Sequence, residues 1–246
     1  MALDGVSFEV PEGSTVGLIG PNGAGKTTMF NCITRLYTPN HGQILFAGRD
    51  LLVEPPHTIV SRGVARTFQN VELFRRMTVL DNILVGLHSQ MGRGGLDWLA
   101  AAVGLPHVRR QERRARERAL AVLEDVGLAD LADHPIAGLP FGTLKAIELA
   151  RALASRPRLL LLDEPAGGLN HQEVGELGAL LKRLHSSYEL TLLVVEHHMN
   201  LVMSISDQVV VLDFGRKIAE GPPQEVQANP RVVEAYLGIT ASDGAA

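Results

Sequence analysis

The stretch Gly20-Pro21-Asn22-Gly23-Ala24-Gly25-Lys26-Thr27-Thr28 completes the pattern G-x-x-x-x-G-K-[ST]. The flanks fit it. Thr15-Val16-Gly17-Leu18-Ile19 reads as a short buried strand, and Thr28 to Arg35 as a helix. Phosphate oxygens need several donors in a small space. A glycine-rich turn lets backbone N–H groups converge, and the next helix aims its N-terminus at the anion. In this reading Lys26 reaches the β- and γ-phosphates, and the Thr27 hydroxyl is offered to Mg²⁺, which prefers oxygen ligands.

Composition narrows the rest. In a chain of 246 residues, 46% are apolar, enough for one large α/β domain with a sizeable core. A net charge of −4 argues against a dedicated nucleic-acid binder. With Cys32 as the single cysteine, no internal disulfide forms, which suits a reducing compartment. No apolar run approaches the roughly 20 residues of a membrane helix. No basic signal-peptide start precedes Asp4 and Glu9.

Along the chain, Val6 to Val10 alternates like a strand, and Gln43 to Phe46 and Val64 to Phe68 read as short strands. Residues 79–154 read as mostly helical. There Ala115, Ala119, Val122, Leu123 and Val126 form one apolar helix face, with Gly127 as the stop. Glu112–Arg116 and Arg113–Glu117 are i,i+4 pairs on the opposite face, so the arginines read as a solvated surface. Leu159 to Leu162 is a continuous apolar run, expected of a central parallel strand, and ends in Asp163-Glu164. A helix over Val174 to Leu184 leads to a second buried strand, Leu192 to Val195, followed by Glu196-His197-His198. Gln208 to Leu212 and Lys217 to Glu220 make a hairpin.

Strands alternate with helices at both ends of the sequence. The expected fold is α/β: a phosphate-loop core with a mainly parallel sheet, an antiparallel β portion and an inserted helical subdomain. One domain spans residues 1–246, with 1–78 and 155–246 as the core and 79–154 as the insertion. Asp163, at a buried strand end, is the partner such a loop requires and would hold Mg²⁺. Glu164 beside it is the candidate base for the attacking water.

The set resembles the ATPase subunit of an ABC transporter, from Ala2 to about Gly238. Gln69, in Thr67-Phe68-Gln69-Asn70, matches the glutamine that senses Mg²⁺ and the γ-phosphate. Leu139-Pro140-Phe141-Gly142-Thr143 stands where that family has its L-S-G-G-Q signature. Ala166-Gly167-Gly168-Leu169-Asn170 matches the D-loop, and His197 the switch histidine. Within the superfamily, the D-loop asparagine, Glu196-His197 with Met199, and Ala235-Tyr236-Leu237-Gly238 resemble the ATPases of branched-chain amino-acid importers. The resemblance implies ATP and Mg²⁺, a second ATPase subunit (identical or not), two membrane permease subunits and an external substrate-binding protein. It implies a place on the cytoplasmic face of the membrane, peripheral through the permeases. An exporter ATPase or a non-transport ATPase of the superfamily is the alternative. The helical stretch is too short for the long heptad insertions of the non-transport kind, and one cysteine makes no zinc site.

The chain departs from the family at two places. Pro140 and Phe141 replace Ser and Gly of the signature, and Thr143 replaces Gln. Proline lacks the hydroxyl and N–H that would meet the partner's γ-phosphate. Relatives also carry a strand and an adenine-stacking aromatic ahead of the point that Ala2 matches, so no residue here is assigned to adenine stacking.

Overall fold

The structure is a computed structural model that describes residues 2–68, 71–87 and 106–237. A six-stranded sheet contains β1 (Thr15–Ile19), β4 (Val64–Arg66), β5 (Leu159–Asp163), β6 (Thr191–Val195), β7 (Gln208–Asp213) and β8 (Arg216–Gly221), in spatial order β4-β5-β6-β1-β7-β8. All pairings are parallel except β7 with β8. The turn between those two has positive φ at both central residues, Phe214 and Gly215 (42° and 77°). A two-residue turn of that hand matches strand twist. A separate two-stranded ribbon joins β2 (Leu45–Phe46) to β3 (Arg49–Asp50).

The continuous apolar strands are buried on both faces because two layers cover the sheet. Leu160, Leu162, Leu192 and Val194 face one layer. There they share a single core with α2 (Val79–Leu87), α3 (Pro106–Asp125), α4 (Phe141–Ala154) and α5 (His171–Tyr188). Leu159, Leu161, Leu193 and Val195 face the other layer, with Phe30 and Ile33 of α1 (Lys26–Ile33). Ile19, Val209 and Val211 pack on α6 (Met199–Ile205), α7 (Pro223–Gln227) and α8 (Pro230–Leu237). Among the described residues, the helices of the middle of the chain share the sheet's core.

Some local expectations are corrected. Val6, Phe8 and Val10 do alternate inward onto the core, but residues 6–10 form no strand among the described residues. The alternation reports burial, whereas a strand also needs a neighbour at hydrogen-bonding distance. The strand expected over Gln43 to Phe46 is only two residues long. Helix α1 begins two residues earlier than its pattern suggested, because Lys26 and Thr27 belong to loop and helix together. It closes before Arg35, which has φ 63°. Of the two arginine pairs, Arg113–Glu117 forms at 3.6 Å, while Arg116 reaches Asp133 at 3.7 Å. Gly127 does end α3, at φ 75°.

Candidate active site

The sheet order brings separate pieces of sequence to one edge. Gly20 follows β1, Asp163 ends β5, and Glu196-His197 follows β6. These three strands are neighbours, so their carboxyl ends share a crevice of the sort that binds ligands in parallel sheets.

Gly25 caps α1 at φ 104°, and a Cβ there would lie 2.6 Å from the Ala2 carbonyl oxygen. At Gly20, φ 151°, a Cβ would strike Leu212 O at 2.0 Å. Both positions need glycine for conformation and for space. Asn22, Gly23 and Thr27 are exposed at the loop's mouth, while Pro21 and Thr28 are half-buried. Lys26 is buried, with Nζ donating to Gly20 O at 2.7 Å and Pro21 O at 2.9 Å. Burial pushes its pKa down, and the nearby charges of Glu164 and Asp163 pull it back up. A buried, sparsely hydrated ammonium at a helix N-terminus is a site for polyphosphate.

Asp163 is 3% exposed, and its Oδ2 accepts from Arg66 Nη2 at 2.5 Å. Glu164 has φ 49°, rare for a side chain of its size, and is held there by Glu164 N–H to Val195 O at 2.8 Å and Gly167 N–H to Glu164 O at 3.0 Å. Such backbone strain costs on the order of 1 kcal/mol and is characteristic of active sites. The turn aims the carboxylate at His197, whose Nε2 lies 2.7 Å from Glu164 Oε1. Glu196, 1% exposed, fixes the histidine's backbone. Its Oε2 accepts from the N–H groups of His197 (2.8 Å) and His198 (3.1 Å), and its Oε1 from Ala166 N–H (2.6 Å).

Lys26, Asp163, Glu164 and His197 are therefore assembled together. The signature residues gather elsewhere. Pro140 is the N-cap of α4, which leaves the N–H groups of Phe141, Gly142 and Thr143 as its first-turn donors, and Leu139 packs on the helical core. The Phe141 ring lies over the D-loop: a Cβ on Gly168 would be 2.8 Å from it. Lys145 Nζ, one turn on, sits 5.7 Å from that ring and 3.5 Å from Glu164 O. Asn170 caps α5, accepting from Glu173 N–H at 3.0 Å while Glu173 Oε2 accepts from Asn170 N–H at 2.8 Å. Gln69 lies outside the described residues. Arg66 and Glu196 were not singled out from sequence as site residues. A cleft of about 330 Å³ lined by Lys182, His185 and Asp207 contains none of the assembled groups.

Among the described residues no cluster of three His, Cys, Asp or Glu side chains stands ready to hold a metal by itself. Thr27 and Asp163 offer oxygens only, a donor set that fits a Mg²⁺ ion completing its shell with phosphates and water.

A strand-loop-helix phosphate cradle, an acidic strand end and an adjacent glutamate–histidine pair define a nucleotide hydrolase of the phosphate-loop class. Residues 3–167 match the ABC transporter family, and residues 216–241 the branched-chain amino acid ATP-binding cassette transporter family. The chain is 45% identical to the high-affinity branched-chain amino acid transport ATP-binding protein BraF of Pseudomonas aeruginosa, over 97% of this chain and 92% of that one. It is 42% identical to LivG of Escherichia coli over the same shares. The crystal structure of the ADP conformation of MJ1267, an ATP-binding cassette of an ABC transporter, superposes with TM-score 0.82 at 32% identity, covering 97% of this chain and 93% of that chain. The chain belongs to the ABC transporter ATP-binding family: it binds nucleotide, hydrolyses ATP and works with membrane permeases. Among the described residues no helix is long and apolar enough to cross a membrane.

Proposed function

We propose that this chain powers the import of branched-chain amino acids as one of two ATPase subunits, joined to two permease subunits and supplied by an external binding protein. Mg²⁺ accompanies the nucleotide. The observation that carries the catalytic part is the Glu164–His197 contact of 2.7 Å beside the Lys26 loop. Similarity to BraF and LivG across nearly the whole chain supports the substrate. The match at residues 216–241 supports it further.

Each residue has a part. The backbone of Gly20 to Gly25 and the Lys26 ammonium bind the phosphates, and Thr28 extends the cradle. Thr27 and Asp163 would hold Mg²⁺, and the resemblance adds Gln69 to that set. Held there, such an ion would supply positive charge to the phosphate oxygens as charge develops on them. Glu164 accepts a proton from the attacking water, and His197 steadies that carboxylate and faces the γ-phosphate. The N-terminus of α4, with Leu139-Pro140-Phe141-Gly142-Thr143, serves the nucleotide of the second ATPase subunit. Closure on two ATP molecules and release after hydrolysis shift the permeases between their two open sides.

The test is uptake of radiolabelled leucine, isoleucine and valine by cells in which the gene is deleted. Wild type should restore uptake, and Glu164→Gln should not. Normal uptake in the deletion strain would refute the substrate. Restoration by Glu164→Gln would refute the catalytic assignment.

A further inference from the structure

Arg66 ties together the two elements that carry the metal ligands. Its Nη2 donates to Asp163 Oδ2 at 2.5 Å, at the end of β5. Its Nη1 donates to Asn31 Oδ1 at 2.8 Å and lies 3.4 Å from Thr34 Oγ1, both on or just beyond α1. Asn31 stands four residues after Thr27, so the two lie on the same side of α1. The guanidinium is held between the Phe30 ring, 5.4 Å away, and the Phe68 ring, 5.3 Å away. Both members of the ion pair are nearly buried, with side-chain exposures of 7% and 4%. The buried Nε makes no hydrogen bond, so the terminal nitrogens alone fix the fork.

The guanidinium is thus placed by α1 and by two aromatic rings, independently of the carboxylate it meets. That is the arrangement of a bracket. A planar fork with one prong on the helix of Thr27 and the other on the strand end of Asp163 fixes the spacing between them. Thr67, the next residue, adds to it, since its Oγ1 lies 3.4 Å from Asp163 N.

We propose that Arg66 is a positioning residue for the nucleotide's divalent cation, holding the Asp163 carboxylate at a fixed distance and rotation from Thr27. This rests on the reading of Thr27 and Asp163 as the metal ligands. Outer groups that orient a metal ligand typically contribute about 10- to 100-fold to metal affinity.

The experiment is calorimetric titration of the full chain with a non-hydrolysable ATP analogue, once with Mg²⁺ and once with EDTA. The ratio of the two affinities measures the cation's contribution without any turnover. Arg66→Met should lower that ratio about 10- to 100-fold, with affinity in EDTA unchanged. Arg66→Lys restores the charge without the fork and should recover only part of the loss. Asn31→Ala keeps both charges, frees Nη1 and should also lower the ratio, which tests the bracket even if Arg66→Met does not fold. Asp163→Asn is the control. If it leaves the ratio intact, the metal-site reading itself fails. If it lowers the ratio while Arg66→Met and Asn31→Ala do not, the bracket fails alone. A higher ratio in Arg66→Met would make the arginine a rival of the cation, and an equal fall in EDTA would make its role structural. Either result overturns the proposal.

Discussion

In the proposed mechanism, Glu164 concentrates the chemistry of the site at one residue. Its backbone is held in a left-handed conformation, and the turn delivers Oε1 to His197 Nε2. A general base contributes about 100- to 10,000-fold to turnover. Glu164→Gln should therefore lose ATPase activity by roughly that factor while keeping nucleotide affinity, measured by phosphate release and calorimetry. His197→Ala should lose turnover as well, with the backbone at 196–198 intact because Glu196 still holds it. Glu196→Ala behaves differently. It strips the acceptor from three backbone N–H groups at a site 1% exposed, which should cost on the order of 3 kcal/mol in urea unfolding and lower turnover indirectly. A histidine variant that unfolds early, or a Glu196 variant as stable as wild type, would reverse these roles.

Among the elements, α4 shows what sequence could and could not disclose. Its helical character, and the order of loop, acid and histidine around Lys26, Asp163 and His197, were legible in the sequence, whereas its start at Phe141, inside the signature stretch, was not. Nor was the role of Glu148: its Oε1 accepts from Phe68 N–H at 3.1 Å, 80 residues away. Arg66 likewise meets Asp163 across 97 residues. The second follows from β4 lying beside β5 and the first from α4 packing against β4, adjacencies that no local pattern encodes. The strand expected at Val6 to Val10 failed for the same reason, since alternation reports burial and not a neighbour. Glu148 sits 3.8 Å from Arg151, which donates to Glu72 O, so α4 grips the chain on both sides of Gln69. Burial pushes the Glu148 carboxyl above its usual pKa, against the pull of Phe68 N–H, Lys145 and Arg151. A raised folded-state pKa gives stability that is complete below the unfolded value of about 4.5 and is lost as pH rises through the folded one. The stability of wild type relative to Glu148→Gln should therefore decline as pH rises through the usual carboxylate range and above it. Urea titrations of both proteins at each pH measure the difference, and a constant difference would contradict the shift.

At the scale of the whole molecule, the proposed pairing of two ATPase subunits makes this site one half of a larger one. Lys26, Asp163, Glu164 and His197 gather at one edge of the sheet, while the N-terminus of α4 presents its donors beside the D-loop, where Phe141 covers Gly168. In a head-to-tail pair of ATPase subunits, this chain's edge would meet the partner's signature, and its α4 would meet the partner's ATP. The first-turn N–H groups after Pro140 survive the substitution, because Pro140 is the N-cap and lies outside them. What is missing is the serine hydroxyl and the cap residue's own N–H. One hydrogen bond to a charged phosphate is worth about 1.5–3 kcal/mol, or roughly a 10- to 100-fold change in rate. Paired with a subunit that has the usual signature, this chain should hydrolyse mainly at its own Lys26 loop, and Glu164→Gln here should reduce turnover more than the matching change in the partner. Pro140→Ser should raise hydrolysis at the partner's site towards the rate at this chain's own site. Single-turnover hydrolysis in pairs carrying one glutamine variant at a time separates the two rates. Equal losses from the two variants, with no gain from Pro140→Ser, would show that the donors of Phe141, Gly142 and Thr143 suffice.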